Sequence, residues 1–363
     1  MSVVFHSVEP ESNKATFSQM DTVDFVIAGD RNVIRNSIRL EGKLAIHQTA
    51  STRAVLADQL SLDKRVGANG LIDSISCSID GSVIENIGSE YARYVGMVQS
   101  ATKSRDDYYS AKELCELKSP DDRTAILYSC GASNASSTEG LSDLDFSFKP
   151  VMCLNRSSSD IPMSKGVIKI SLNLARNVNA LSGNNQIAGS NFVISEFRLT
   201  YRSSPPNPVD QIVMKSISMI KKEVNSGFAN ISTRVPAIVD AVSCSFLRTD
   251  HENTIINNTL NLETLPDLQE VQFLFNNATN QYQQYLQKDT HEFLHGYLES
   301  LKSSGHSDVS TENVKGQNGN GLGMSFGERI DLSNNKISVQ IRSGVTSGAR
   351  YLMYMYFHST ISV

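Results

Sequence analysis

One pattern constrains this chain more than any other, and it occurs twice. From Lys336 the sequence runs KISVQIRSGVTSGARYLMYMYFHSTISV. Ile337, Val339 and Ile341 alternate with polar residues, a Ser/Gly turn follows, and Leu352, Tyr354 and Tyr356 then interleave with Met353, Met355 and Phe357. Residues 165–201 repeat the order: an alternating run from Val167 to Leu174, a Gly/Asn/Ser loop, and the run NFVISEFRLTYR. Apolar residues at every second position mark a strand with one buried face, and a helix of period 3.6 does not produce them. Two closing hairpins, one ending each half of the chain, are therefore predicted, and with them a duplicated β-domain. In the tail both parities are apolar, so one face of the last strand is expected to meet its own core and the other a neighbouring domain or chain.

The 363 residues suffice for two domains with separate cores. A net charge of -5 argues against a surface dedicated to nucleic acid, and no Lys/Arg run exceeds two residues, so no direct sequence-specific nucleic-acid binding is expected. No stretch approaches the roughly 18 apolar residues of a membrane-spanning helix. The start, MSVVFHSVEPESNKATF, lacks a basic segment followed by an apolar one, so no signal peptide is expected. Cys77, Cys115, Cys130, Cys153 and Cys244 show no CxxC spacing; they read as reduced, mostly buried thiols with neither a zinc cluster nor a disulfide frame.

Strands are predicted within 22–29, 36–48, 67–87, 144–155, 228–248 and 265–277, with Asp80-Gly81 as a hairpin turn. Gly42, in mid-strand, marks a bulge or the close approach of another backbone. Helical spacing predicts helices over 89–104, 110–117, 209–225 and 280–301, while Tyr128 to Leu141 reads as a surface loop. The prolines of SSPPNP (203–208) cannot sit inside a helix or a central strand and set the boundary between halves. The predicted organisation is an N-terminal arm over 1–20, a first domain over 21–203, a linker and connecting helix over 204–225, and a second domain over 226–363.

One catalytic motif needs weighing. His291-Glu292-Phe293-Leu294-His295 matches H-E-x-x-H on a predicted helix, the spacing that sets two imidazoles on a zinc ion beside a general base. The longer signature with a third His is absent, and Glu299 or Glu312 would have to complete the site. A solvated polar helix face beside Tyr285, Leu286, Phe293, Leu294 and Leu298 accounts for the same residues. Gly319, Gly321 and Gly323 precede a strand and read as turn or bulge glycines instead of a phosphate cradle. Asp106-Asp107 and Asp121-Asp122 read as solvated or capping carboxylates. No catalytic, cofactor-binding or metal residue is assigned, and no enzyme activity is expected.

Several of these stretches resemble the double jelly-roll major capsid proteins of tailless icosahedral viruses, the lineage of adenovirus hexon. NSIRLEGKLAI is similar to an early strand of the first jelly roll. GANGLIDSISCSIDGSVIENIGSEYARYVGMV follows the family's order of a glycine, a core strand, a Glu and a Tyr-bearing helix. VQFLFNN and LGMSFGERIDLSNNKISVQIRSGVTSGARYLMYMYF resemble closing strands of the second. The resemblance implies an all-β fold of two tandem jelly-roll β-sandwiches with short helical insertions, working by self-assembly without cofactors. It implies pseudo-hexagonal homotrimers that tile an icosahedral capsid and contact neighbouring capsomers, penton and minor capsid proteins. Loops at 49–66, 128–141 and 303–323 would form outward towers and trimer contacts. The arm would face an internal viral membrane, and the protein would lie in the virion after assembly in the host cytoplasm, in a small virus such as a finnlake-type phage. Two competing readings are a zinc-dependent hydrolase built on His291, Glu292 and His295, and a receptor- or carbohydrate-binding minor capsid or spike protein.

Overall fold

The computed structural model describes residues 3–49, 52, 60–63, 65–102, 143–183, 189–207, 211–234, 238–275, 285–287, 292–311, 321–331 and 336–363. The first half contains β1 (Val4–Val8), β2 (Thr16–Ser18), β3 (Thr22–Ile27), β4 (Asn32–Val33), β5 (Arg39–His47), β6 (Ser61–Leu62), β7 (Ile72–Ile79), β8 (Ser82–Ile87), β9 (Leu144–Phe148), β10 (Ile168–Leu174), β11 (Leu181–Ser182) and β12 (Asn191–Ser204). The second contains β13 (Val213–Val224), β14 (Phe228–Arg234), β15 (Ile238–Arg248), β16 (Glu270–Phe275), β17 (Tyr285–Gln287), β18 (Leu322–Asp331), β19 (Lys336–Arg342) and β20 (Tyr351–Ser362). Helix α1 (Tyr91–Thr102) lies between β8 and β9, and helix α2 (Glu292–Ser303) lies between β17 and β18.

The strand orders of the two halves match term by term. In the first, one sheet runs β1-β12-β5-β9, with β2 and β4 also on β12, and the other runs β3-β10-β7-β8. In the second, the sheets run β13-β20-β15-β18 and β14-β19-β16-β17. Thus β1 corresponds to β13, β12 to β20, β5 to β15 and β9 to β18, and the other sheet follows suit. Alternation places the buried residues: Leu40, Leu44 and Ile46 of β5 face inward while Arg39, Glu41 and Lys43 between them do not. Edge-on aromatic pairs tie the facing sheets, Phe25 to Phe197 at 5.6 Å in the first half and Phe275 to Phe326 at 5.2 Å in the second.

Several expectations need correction. The two closing hairpins are not hairpins. β10 pairs with β3 and β7 while β12 pairs with β1 and β5; likewise β19 pairs with β14 and β16 while β20 pairs with β13 and β15. Each pair instead crosses from one sheet to the other, because alternation reports that one face is buried and not which strand lies alongside. The connecting helix predicted over 209–225 is the strand β13, paired with β20 along its whole length from Val213↔Ser362 to Val224↔Tyr351. The pairing of twelve residues with an open strand edge outweighs the helical spacing of Ile212, Ile217, Ile220 and Val224. The helix predicted over 280–301 is confined to Glu292–Ser303, with Tyr285–Gln287 in a strand and the other residues before Glu292 outside those described. The arm over 1–20 contains β1 and β2, both paired with β12. The predicted helix 110–117 and loop 128–141 lie outside the described residues.

Gly42 serves both anticipated purposes. A Cβ there would stand 2.9 Å from the Phe146 ring and 3.2 Å from the Ser195 carbonyl oxygen. The β5–β12 register shifts between Ser195 and Arg198, where Glu196 adopts a φ of 51°.

Candidate functional site

The feature that organises the molecule is the seam where the halves meet, and β20 forms its centre. Its two apolar parities divide as the sequence suggests. Met353, Met355 and Phe357 enter the second half's core, and Tyr354 and Tyr356 join a larger cluster with the first half's core. Ile212, Met214, Ile217, Leu247, Tyr297 and Leu301 share that larger cluster, so the seam is packed like a domain interior.

Several polar groups inside the seam are paired across it. Arg93 of α1 is fully buried, lies 4.3 Å over the Tyr354 ring, and donates to the Asn261 carbonyl at 2.8 Å, to the Thr259 carbonyl and to Glu90 at 3.1 Å. Glu90 holds a left-handed φ of 90°, and the Tyr356 hydroxyl donates to its carbonyl at 3.1 Å. A non-glycine residue in that region stores roughly 1–3 kcal/mol of strain, which these contacts offset. Glu85 of β8 accepts from Arg156 at 2.6 Å, from the Cys153 N–H at 2.5 Å and from the Ile217 N–H of β13 at 3.0 Å. Burial raises the Glu85 carboxyl above the ordinary carboxylate range, against the pull of Arg156 and the two N–H groups. Asp63 accepts from Asn258, and Arg65 donates to the Asn261 side chain at 3.1 Å.

Cys77, Cys153 and Glu85 have ligand atoms within 4.8 Å of one another, a convergence absent from the sequence because Cys77 and Cys153 have no motif spacing. Both carboxylate oxygens of Glu85 already accept N–H groups, and the Cys153 thiol is raised well above its ordinary value by its contact with Cys77 and by burial. The group acts as a clamp between β8, the turn Cys153–Arg156 and β13. Cys77, Cys153 and Cys244 are buried free thiols, while Cys115 and Cys130 lie outside the described residues.

The HEFLH segment is not assembled into a site among the described residues. His291 and the Glu292 side chain lie outside them, and His295 is exposed on α2. Of the two candidate third ligands, Glu299 bonds Lys302 at 2.7 Å, and Glu312 lies outside. The helix instead turns Tyr297, Leu298 and Leu301 into the seam, with the Tyr297 hydroxyl donating to the Met97 carbonyl at 2.9 Å. Gly321 and Gly323 are packing glycines and not turn residues. A Cβ on Gly321 would meet the Tyr297 ring and stand 2.7 Å from the Cys244 carbonyl oxygen, and one on Gly323 would meet the Ser300 hydroxyl. Gly319 and both Asp-Asp pairs lie outside the described residues.

Sequence reading missed the clamp and the buried arginine. Glu85 shares strand parity with the buried Ile87, a signal that a carboxylate faces inward. Arg93 carries no such signal, since every neighbour on α1 from Tyr91 to Val98 is buried too.

The outer face of β1-β12-β5-β9 differs from its counterpart in the second half. Tyr354, Tyr356, His358, Ser243 and Leu247 on the outer face of β13-β20-β15-β18 are all buried. On the equivalent face of the first half, Phe5, Ser7, Lys149, Arg198 and Arg202 are exposed, Phe5 by 78%. With Arg39, Glu41 and Thr200 they line an open depression of about 650 Å³.

No family model and no curated protein matches the chain. Among solved structures it is similar to the Faustovirus major capsid protein at 6% identity, over 100% of this chain and 90% of that one, with a TM-score of 0.69. It is similar to PBCV-1 VP54, as fitted into a reconstruction of the virophage Sputnik, at 10% identity over 100% and 95% of the two chains, with a TM-score of 0.62. The mavirus major capsid protein matches at 12% identity over 99% and 88%, with a TM-score of 0.51. At such identities the likeness speaks to fold: the chain is all-β, a double jelly roll.

Proposed function

We propose that this chain is a structural viral major capsid protein that assembles as pseudo-hexagonal homotrimers tiling an icosahedral shell. The observation that carries this reading is the unequal treatment of two equivalent sheet faces. Within one chain the first jelly roll covers the outer face of β13-β20-β15-β18, and the matching face of β1-β12-β5-β9 is left open. If the second jelly roll of another copy covers that face in the same way, the contact is head-to-tail, and three chains close a ring of six sandwiches. Solved structures of the same fold are viral major capsid proteins, which supports the shell role.

On this reading the first jelly roll runs from β1 to β12 and the second from β13 to β20, the work is assembly and not catalysis, and the partners are further copies, penton and minor capsid proteins. The protein lies in the virion after assembly in the host cytoplasm. Interfaces of the obligate class, above about 2,000 Å² and apolar at the centre, are expected between copies.

The test is a triple variant, Phe5→Asp, Arg198→Glu and Arg202→Glu, on the open face. It is expected to convert trimer to monomer with an unchanged far-ultraviolet circular dichroism spectrum. A variant that stays trimeric would remove that face from the interface.

A further inference from the structure

Two histidines in the seam have no role in the clamp or in Arg93's network. His358 of β20 is fully buried; its Nε2 lies 2.7 Å from the Ser243 Oγ, and its Nδ1 has no hydrogen-bond partner among the described residues. His306 follows α2 and has its Nε2 3.2 Å from the Tyr94 hydroxyl. The Tyr94 ring of α1 stands between them, with centroids 6.2 Å from His306 and 5.8 Å from His358. Three segments of the second half and one helix of the first therefore meet at two imidazoles.

The charges around them are already matched. Arg156, on the turn after β9, pairs with Glu85 of β8. Lys215 of β13 pairs with Asp240 of β15 at 3.2 Å and donates to Thr360 of β20 at 2.7 Å, and Arg93 of α1 pairs with Glu90. Tyr94 and Tyr356 add only phenols, the Tyr94 hydroxyl being pushed up to about 12 by burial. Among the described residues no carboxylate partners either imidazole, so a proton placed on the fully buried His358 or the half-buried His306 has no counter-charge beside it.

We propose that the seam is an acid-operated latch: it is closed while His306 and His358 are neutral and opens, loosening the two jelly rolls from each other, as both rings take up protons.

Burial, and then the positive charge of Arg156, hold His306 down to about 3, and the same causes hold His358 well below its ordinary value. In an opened seam both would titrate near the ordinary 6.5. The open state then binds protons that the closed state refuses, so closure is full above that value and weakens as the pH falls towards 3. Each histidine multiplies the opening constant by about 25 between pH 7 and pH 5, and the pair by about 600. Glu85, raised by burial, acts in the opposite sense, so histidine variants are the informative comparison.

The test is hydrogen exchange on the purified full chain at pH 7 and pH 5, corrected for intrinsic rates. The β13 peptide reports the seam, because the Ile217 N–H bonds Glu85 across it. The β14–β19 pairing serves as the reference. Between pH 7 and pH 5, protection of β13 relative to the reference is expected to fall about 600-fold more in wild type than in the variant carrying both His306→Gln and His358→Gln. His306→Gln alone should recover about 25-fold of that difference. A double variant that keeps the wild-type pH dependence overturns the latch. Should the double variant not fold, nuclear magnetic resonance of the wild-type imidazoles decides: both rings are expected to stay neutral at pH 5, and a ring titrating near 6.5 overturns the proposal. The latch is a property of one chain, so its failure leaves the assembly reading standing, and monomeric protein leaves the latch standing.

Discussion

At Glu85, one carboxylate from the first jelly roll receives a backbone N–H from the second, at Ile217, and a buried guanidinium from the turn beyond β9. Replacing it by alanine leaves Arg156 buried without its counter-charge and leaves two N–H groups without acceptors. Breaking a buried pair in this way costs about 3–5 kcal/mol, so Glu85→Ala should lower the unfolding free energy in urea by that amount. A loss below about 1 kcal/mol would show that the clamp is solvated and that the seam does not depend on it. Single residues were legible where they broke a pattern with known meaning. Gly42 stood out inside an alternating strand, whereas Glu85 was passed over although it shares the parity of buried Ile87. Arg93 was not legible, because a burial made by another domain leaves no periodic trace on its own helix. His291-Glu292-Phe293-Leu294-His295 was legible as a motif, yet the described part of that helix is ordered by Tyr297, Leu298 and Leu301, which carry it into the seam.

At the scale of elements, strands were readable and their partners were not. Alternation located β5, β7, β10, β12, β19 and β20, since it depends only on one buried face. The pairing of β10 with β3 and β7, and of β20 with β13 and β15, depends on contacts far along the chain that no local period records. β13 shows the limit most clearly: its isoleucines suit a helix, and the open edge of β20 makes it a strand. Helix α2 is placed by a similar nonlocal fit, lying against β18 where Gly321 and Gly323 leave no side chain in its way. Gly321→Ala should therefore force the Tyr297 ring off its seat and break its bond to the Met97 carbonyl. Overpacking of this kind costs about 1–3 kcal/mol, readable as a lower melting temperature. Unchanged stability would mean that α2 can shift without loss.

At the scale of the whole molecule, the duplication was visible as an order of events, and the structure shows it as two sheet pairs of identical strand order. The asymmetry between the copies was partly visible as well, because both parities of β20 are apolar while β12 alternates with Glu196, Arg198 and Arg202. Arg198 and Arg202 of β12 face solvent, while Tyr356 and His358 of the equivalent β20 are buried by the neighbouring jelly roll, and which neighbour covers them is recorded in no local pattern. On the proposed function that asymmetry leaves the single chain as one segment of a ring with an unfilled face, and the proposal stands or falls on whether the ring closes. Multi-angle light scattering of the purified protein across a hundredfold dilution measures this directly. The account predicts a mass of about three times 39.8 kDa that persists on dilution. A single species of 39.8 kDa at every concentration would contradict it.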